Sequence, residues 1–211
     1  MKASSVEEVR ELYDETADSY ATMMDAEIDL PLYRSVLGRL NTQLQGVPGV
    51  LVDTSCGSGH MLAMYHQQYD QQRALLGVDL SERMVDIAAI RLREAATVCV
   101  GDMRALNMVE DDSAAAVLSF FALHHLDPAG VRLALAEWHR VTRPGGRLLI
   151  AAWEGEGAID YGEASEVVAL RYGDIELARW ARDAGFAVDR VFVEPVEGMF
   201  MDAVYLDATK P

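Results

Sequence analysis

Apolar positions along the chain follow two periods, and segments of the two kinds alternate through its middle. Short apolar runs typical of buried parallel strands occupy residues 50–54, 74–79, 97–101, 115–121 and 147–153. Between these runs, apolar residues recur every three or four positions, which predicts helices over residues 59–69, 81–95 and 128–142. The alternation predicts an α/β fold in which helices cover both faces of a mostly parallel sheet.

The two ends of the chain add further helices and a hairpin to this alternation. Helical spacing of apolar residues predicts two N-terminal helices over residues 4–24 and 31–44. At the other end we predict a helix over residues 174–184 and two strands over residues 186–194 and 202–209. The separation of these two strands fits a hairpin, so one antiparallel strand joins the sheet.

Composition is that of a globular protein and argues against nucleic acid as a partner. The 211 residues are 51% apolar and 25% charged. The net charge of -16 repels phosphate backbones, and the basic residues form no stripe. No apolar run reaches the length of a membrane span, and the charged N-terminus is unlike a signal peptide. We therefore expect a cytoplasmic protein without a nucleic-acid or membrane partner, with Cys56 and Cys99 as reduced thiols and with no metal site.

The segment from residue 50 onward predicts a ligand-binding turn between a strand and a helix. Asp53 ends the apolar run and is followed by Gly57 and Gly59, which allow a sharp turn and a close approach to a ligand. A dinucleotide-binding loop needs a third small residue where this chain has Leu62, and the P-loop lysine is also missing. Because Asp53 repels phosphate and attracts ammonium groups, the loop favours a ligand with a cationic part.

Two further acidic residues close the next two strands. Asp79 ends the second strand, where an acid commonly bonds ribose hydroxyls, although it could also cap the following helix. Asp102 follows the third strand and could accept a hydrogen bond from an exocyclic amine, with Met103 as an apolar wall and amide donor. Gly101 and Asp102 by themselves are typical of a plain turn. Acids at the ends of three successive strands are a stronger signal for an adenosine compound than any one of them.

These motifs resemble the class I S-adenosylmethionine-dependent methyltransferases, most of all the small-molecule branch that includes the menaquinone and ubiquinone methyltransferases. The resemblance rests on the loop 53–59, on Asp79, on residues 101–103, on the two histidines in residues 120–126, and on residues 140–146, which end in a predicted turn at residues 143–146. It covers residues ~10–210 and implies a Rossmann-like sheet of seven strands in the order 3-2-1-4-5-7-6, with strand 7 antiparallel.

The resemblance also implies how the chain is divided. We expect one methyltransferase domain over residues 1–211, with an N-terminal helical lid over residues 1–45 and a Rossmann-like core over residues 46–211. The segment 154–173 has no clear secondary structure and is expected to be an insertion that covers the acceptor pocket.

The implied cofactor is S-adenosylmethionine, with S-adenosylhomocysteine as the product. The glycine loop would lie against its methionine end, Asp79 against the ribose, and Asp102 with Met103 against the adenine, while Tyr13 and Tyr20 would fold over it. The residues expected at the cofactor are Tyr13, Tyr20, Asp53, Thr54, Ser55, Cys56, Gly57, Gly59, Asp79, Leu80, Met84, Gly101, Asp102, Met103, Ser119 and Phe120.

Ser55 is the one departure from the family's loop, which usually has glycine at this position. The side chain could crowd the loop or force a different φ angle. Its hydroxyl could instead bond the carboxylate of the cofactor.

Candidate groups for the acceptor follow the fourth and fifth strands. His124 or His125 could be a general base or could orient the acceptor, and the competing interpretation is a structural hydrogen bond to the following helix. His60 is expected to pack at the first turn of its helix. The residues expected to bind the acceptor are Trp153, Glu154, Tyr161 and Arg171.

The sequence therefore predicts an enzyme that moves a methyl group from S-adenosylmethionine to oxygen, nitrogen or carbon of a small molecule, as a monomer or homodimer. One alternative is a non-catalytic protein that binds the same cofactor as a scaffold or regulator, which Ser55 and the lack of an unambiguous base motivate. A second alternative, a nicotinamide-dependent oxidoreductase, is disfavoured by Leu62 and Asp102.

Overall fold

Six α-helices, seven β-strands and two 3₁₀-helices (Arg93–Ala95 and Leu123–His125) make up the regular structure of the residues that the computed structural model describes, which are 2–159, 166–196 and 201–211. The helices are α1 (Val6–Glu27), α2 (Pro31–Gln43), α3 (His60–Gln68), α4 (Glu82–Leu92), α5 (Pro128–Val141) and α6 (Asp174–Asp183). The strands are β1 (Val50–Asp53), β2 (Leu75–Asp79), β3 (Thr97–Val100), β4 (Ala114–Phe120), β5 (Thr142–Trp153), β6 (Ala187–Pro195) and β7 (Asp202–Thr209).

The seven strands form one sheet in the order β3-β2-β1-β4-β5-β7-β6, which confirms the expected topology. Strands β1 to β5 are parallel, and β7 lies antiparallel between β5 and β6. Because these five strands run in the same direction, their carboxyl ends meet at one edge of the sheet, where α/β folds bind their ligands.

Alternate residues of the strands enter two hydrophobic layers, one on each face of the sheet. Val52 and Val117 pack with α5 and α6 on one face, whereas Leu51 and Leu118 pack with α2, α3 and α4 on the other. Such burial on both faces is the reason why the strands read as nearly continuous apolar runs in the sequence. Leu51 and Val52 are fully buried.

The expected helical lid contains two helices with different surroundings. Helix α1 begins with a capping box, in which the Ser5 hydroxyl and the Glu8 carboxylate bond each other's backbone amides. Helix α2 is part of the core, because Leu37 and Leu40 are fully buried against the sheet. The boundary between lid and core at residues 45 and 46 stays a prediction. No helix in the described ranges has the length and apolar character that a membrane crossing requires.

Strand β5 starts earlier than the sequence pattern predicts. The expected turn at residues 143–146 lies inside it, because these residues pair with the C-terminal end of the chain. The Gly145 amide donates to the Lys210 carbonyl (2.8 Å), and the Lys210 amide donates to the Gly146 carbonyl (3.0 Å). Gly145 has a φ of 77°, which favours glycine, so the motif is an irregular stretch of strand.

Candidate functional site

A cleft at the carboxyl edge of the sheet brings together most of the residues predicted at the cofactor. It holds about 710 Å³ of empty space, the solvent at its mouth included. The predicted residues that line it are Tyr13, Tyr20, Thr54, Ser55, Gly57, Asp79, Leu80, Met84, Gly101, Asp102, Met103 and Phe120. His125, one of the two predicted catalytic histidines, lines it as well. Residues far apart in sequence therefore share one surface, which we call the main cavity.

The other predicted cofactor residues lie beside or behind this cavity. Asp53 and Cys56 line a smaller neighbouring cavity, which also includes Ser55. Gly59 lines neither cavity and precedes α3 with a φ of 82°, where a Cβ atom would lie 3.0 Å from a side-chain carbon of Leu92. It is therefore required for the turn and for helix packing. Ser119 is fully buried in β4.

Asp79 joins the end of β2 to the glycine loop. Its Oδ2 accepts a hydrogen bond from the Gly57 amide (2.8 Å), and its Oδ1 accepts one from the Ser81 amide (3.0 Å). The helix cap itself is the Ser81 hydroxyl, which accepts from the Met84 amide (3.0 Å). Asp79 therefore holds the loop in place, and each carboxylate oxygen keeps a lone pair for a ligand.

The buried carboxylate of Asp53 and the half-buried carboxylate of Asp79 give the site a preference for positive charge. Burial raises the pKa of Asp53 to about 7, helped by repulsion from Asp79 and opposed by a hydrogen bond from the Ser55 amide. Burial likewise raises the pKa of Asp79, although amide hydrogen bonds from Ser81 and Gly57 oppose this. A cationic ligand would offset the cost of burying both charges.

We expect the ligand-free protein to lose stability through Asp53 as the pH rises from about 4 to about 7. The pKa of this carboxyl is 3.8 without the fold and about 7 within it, so the folded state binds the extra proton in this window. The slope is up to about 1.4 kcal/mol per pH unit. Urea unfolding measures the free energy of unfolding of the natural protein and of Asp53→Asn at several pH values across this range. The difference between the two slopes against pH is the contribution of Asp53.

The difference between the two proteins is needed because the buried His124 and His125, whose pKa values are lowered, act in the opposite direction. Asp86→Asn, a change at an exposed residue of α4, serves as the control and should show the pH dependence of the natural protein. Equal slopes for the natural protein and Asp53→Asn would contradict the raised pKa of Asp53.

Asp102 is held by Arg104, a residue that no sequence motif assigns to the site. The Arg104 guanidinium forms a forked pair with its carboxylate, with Nη2 donating to Oδ2 (2.6 Å) and Nε to Oδ1 (3.0 Å). Burial raises the pKa of Asp102, but the hydrogen bonds from Arg104 outweigh burial, so the pKa is lowered. Asp102 is therefore a fixed carboxylate at the cavity wall.

Ser55 is accommodated in the loop without strain in its φ angle. The non-glycine residues with positive φ among those described are Arg93, Asp112 and Phe121, and Ser55 is not one of them. Its buried hydroxyl has no hydrogen-bond partner in the described part of the chain and lies at the wall of both cavities. The expected distortion by this side chain is not observed, and the hydroxyl remains available to a ligand.

Helix α1 forms one wall of the main cavity and is tied to the start of α4. Asp14 Oδ1 accepts hydrogen bonds from the Ser81 hydroxyl (2.5 Å) and from the Arg83 amide (3.2 Å). A carboxylate at a helix N-terminus is stabilised by the helix dipole. Tyr13 and Tyr20 project from the same helix, with their rings edge to face at 6.1 Å.

Of the two histidines after β4, His125 bonds α1 and lines the main cavity, whereas His124 does neither. A hydrogen bond of 2.8 Å joins the Tyr13 hydroxyl and His125 Nε2. Burial lowers the pKa of His125 to about 4, and burial with the neighbouring His125 lowers that of His124. Both rings are therefore neutral near pH 7. Within the described residues, the expected hydrogen bond from either ring to α5 is not formed.

His60 packs at the first turn of α3, as expected, and is also hydrogen-bonded. Its Nδ1 meets the Ser58 hydroxyl (2.9 Å), and its Nε2 meets Asp25 of α1 (2.8 Å). Ser58 is only 1% exposed, so this Ser-His-Asp chain is a structural link between α1 and the loop. No group of three metal-ligating side chains occurs among the residues described.

The described residues predicted to bind the acceptor, Trp153, Glu154 and Arg171, line neither of these two cavities. The ring of Trp153 contacts that of Phe121 in a tilted arrangement, with centroids 4.5 Å apart. The Glu154 amide donates to the Asp202 carbonyl (2.9 Å), and Arg171 donates to the Glu156 carbonyl (2.7 Å). Tyr161 lies outside the described residues.

Several lining residues escaped the sequence analysis. Arg104, Phe121, Val6 and Val9 line the main cavity, and Tyr33 of α2 lines the smaller one. In the sequence, Val6 and Val9 are only apolar positions of the helix predicted over residues 4–24, and Tyr33 lacks any local signal for a ligand. Phe121 could have been suspected only from its place directly after a buried strand.

Comparison with known proteins finds that the chain is similar to methyltransferases. Residues 51–146 match a family model described as a methyltransferase domain. An uncharacterised 37.1 kDa protein of a Streptomyces fradiae transposon is 35% identical over 171 residues, which are 74% of this chain and 48% of that protein. A tRNA (carboxymethyluridine(34)-5-O)-methyltransferase of Macaca fascicularis is 29% identical, over 66% of this chain and 22% of its own length. The demethylmenaquinone methyltransferase of Symbiobacterium thermophilum is 27% identical, over 67% of this chain and 57% of its own length.

The chain thus spans less than half the length of the first two of these relatives. Solved structures share its fold over nearly its whole length. One is a methyltransferase described as putative, in complex with the Haloferax volcanii Trm112 activator, with a TM-score of 0.78 and 21% identity over 96% of this chain and 97% of that one. Another is the 1,6-didemethyltoxoflavin-N1-methyltransferase of Burkholderia thailandensis, with a TM-score of 0.75 and 23% identity over 100% and 92%.

Proposed function

We propose that this chain, which belongs to the class I S-adenosylmethionine-dependent methyltransferases, transfers the methyl group of that cofactor to an uncharged small molecule. The observation that carries the proposal is the pair of interacting carboxylates at the glycine loop, of which Asp53 is buried at the smaller cavity and Asp79 is half-buried at the main cavity. Keeping two carboxylates in a site with little access to water costs free energy. A ligand with a sulfonium and an ammonium group offsets this cost.

The residues present fit this cofactor. Asp79 offers carboxylate lone pairs beside the loop, where ribose hydroxyls can donate. The unpartnered hydroxyl of Ser55 can donate to the carboxylate of the methionine end. Asp102, fixed by Arg104, and the neighbouring Met103 would hold the adenine. When bound, the cofactor supplies an electrophilic methyl group on a positively charged sulfur.

The chain's own contribution to the reaction is positioning and the exclusion of water. Direct displacement needs the acceptor atom, the methyl carbon and the sulfur in line. Tyr13 and Tyr20 of α1 close one side of the cavity, and Phe120 and Phe121 close the other. We assign His125 to orienting groups in this space, because its low pKa makes it a weak base near pH 7.

We favour a small-molecule acceptor over RNA. The sequence has 34 acidic and 18 basic residues, so the long-range field of the chain opposes a phosphate backbone. A tRNA-modifying relative makes RNA the competing substrate class. Transfer of a labelled methyl group to bulk tRNA, with none to a panel of small metabolites, would contradict our assignment.

Calorimetry with S-adenosylmethionine, S-adenosylhomocysteine and NAD tests the cofactor. We expect the first two to bind and NAD not to bind. Binding of NAD alone would support an oxidoreductase instead. Binding without transfer to any acceptor in the panel would favour the alternative of a non-catalytic scaffold or regulator.

We expect the Tyr13–His125 hydrogen bond to contribute to cofactor affinity by holding α1 against the cavity. Tyr13→Phe and His125→Phe should each weaken binding of S-adenosylhomocysteine roughly 3- to 10-fold, the range for one net hydrogen bond. The double variant should lose little more than either single one, since both changes remove the same bond. Calorimetry on the four proteins measures this, and additive losses would show that the bond does not act as a unit. Tyr69→Phe is the control, because the Tyr69 hydroxyl also makes a hydrogen bond, to the Arg34 carbonyl, but does not line the main cavity.

A further inference from the structure

Strand β6 is the last strand of the sheet, and its outer side has no neighbouring strand in the described part of the chain. It spans nine residues, whereas β3 at the opposite end of the sheet spans four. No backbone group of residues 190–194 forms a hydrogen bond outside the pairing with β7 among the residues described. We call this stretch the free edge of β6. Such an edge presents amide and carbonyl groups on which another strand can pair.

The side chains of the free edge alternate between the two faces of the sheet. One face carries a cation, an aromatic ring and an anion in succession, which line a groove beside α2 and are Arg190, Phe192 and Glu194. The other face carries Val191, which packs against the layer of α5 and α6, and Val193, which is 38% exposed. Pro195, which has no amide hydrogen, ends the stretch that can pair.

The order of charges along the free edge is self-complementary. When two copies of β6 pair antiparallel about Phe192, Arg190 of each copy lies opposite Glu194 of the other, and the two phenyl rings are neighbours. On the other face, Val191 then lies opposite Val193 and covers it. Parallel pairing in register would place like charges opposite each other, which is destabilising. The side chains therefore select one orientation and one register.

Both charged groups of the free edge are available for these contacts. Neither Arg190 nor Glu194 forms an ion pair within the described ranges, because Asp207, the neighbour of Arg190 on β7, is paired with Arg39 at 3.0 Å. The Arg190 guanidinium lies over the Phe192 ring, 3.9 Å from its centroid. A guanidinium that stacks through its face keeps the N–H groups at its rim for a carboxylate. The arginine is thus held in place with its donors unused.

We propose that the chain forms a twofold symmetric dimer through β6, in which the two seven-stranded sheets join into one continuous sheet. The twofold axis brings the same surface of both copies together, so each contact between Arg190 and Glu194 occurs twice. The net charge of -16 opposes association at long range, and these two local pairs counter it. No residue of the free edge lines the main or the smaller cavity, so the dimer stands apart from the proposed function.

Gel filtration with light scattering on the full chain tests the dimer. At roughly 100 μM, well above the Kd of stable interfaces of standard size, the natural protein should have twice the mass of one chain. Arg190→Glu and Glu194→Arg each place like charges opposite each other twice, so each should raise the dissociation constant of the dimer roughly 10-fold or more. The double variant restores opposite charges in exchanged order and should recover most of the dimer.

A natural protein that is monomeric at this concentration overturns the proposal. Single variants that dimerise as well as the natural protein also overturn it, and so does a double variant that stays as weak as the single ones, since it contradicts the register.

Asp86→Arg is the matched control for Glu194→Arg. Both changes make the acidic chain less negative by the same amount, but Asp86 is exposed on α4, which packs at the opposite end of the sheet. General repulsion between two copies falls in both variants, so dissociation of Glu194→Arg alone is due to the local pair. Asp86→Arg that dissociates equally would overturn the proposal. Calorimetry with S-adenosylhomocysteine should give the natural affinity for every variant, which shows that each one is folded.

Discussion

Asp79→Ala should weaken the binding of S-adenosylhomocysteine by about 1.5–3 kcal/mol, which is roughly a 10- to 150-fold rise in Kd. The substitution removes the carboxylate that we assign to the ribose hydroxyls. It also releases the amides of Gly57 and Ser81, which Asp79 bonds at 2.8 and 3.0 Å. The glycine loop then loses its fixed position, so the methionine end of the cofactor should be held less well too.

Calorimetry on the folded variant measures this loss, and two further variants separate its causes. Asp79→Asn keeps one acceptor oxygen and should fall between the natural protein and Asp79→Ala. Asp86→Ala removes an exposed carboxylate from α4 and should leave the affinity unchanged. An unchanged affinity in Asp79→Ala would contradict both the contact with the ribose and the role of Asp79 in holding the loop.

Trp138→Ala should lower the free energy of unfolding by about 3–5 kcal/mol, the usual cost of removing a large buried aromatic ring. Trp138 is fully buried in the layer between α5 and the sheet. Its indole nitrogen donates to the Met103 carbonyl (2.9 Å), so it also fixes the backbone at the proposed adenine contact. Cofactor affinity should therefore fall together with stability.

Urea unfolding and calorimetry on the same preparations measure both effects. Trp138→Phe keeps most of the packing but loses the hydrogen bond, so it should retain more stability than the alanine variant while still weakening cofactor binding. Leu133→Ala, at a residue of α5 that is 60% exposed, should change stability by no more than about 0.5 kcal/mol. Unchanged stability of Trp138→Ala would contradict this prediction, because it would show that the space left by the indole ring closes without a cost in free energy.

Trp138 is one of two residues through which α5 holds the loop after β3 in place. The loop after β3 carries Asp102 and Met103, and α5 holds it from behind. Glu137 of α5 accepts from the Leu106 amide (2.6 Å). The rigid face of one helix thus positions residues that lie about thirty positions earlier in the chain.

The sequence by itself determined the order of elements and the sheet that they build. Apolar runs and helical spacing predicted each helix and strand, because burial on one or two faces imposes a period on the chain. The acids at the strand ends were also readable, since parallel strands bring their carboxyl ends to one edge. The early start of β5 was missed because pairing with Lys210 is a long-range contact that no local pattern reveals.

Only the tertiary structure decided which side chains face the cavities and which partners they meet. Arg104 as the partner of Asp102, His125 as the partner of Tyr13, and Tyr33 as a cavity residue depend on packing between distant segments. The raised pKa of Asp53 likewise follows from its burial, not from its neighbours in sequence. Local periodicity specifies which face of an element is apolar, whereas the distances between side chains and their access to water are set only when the elements pack.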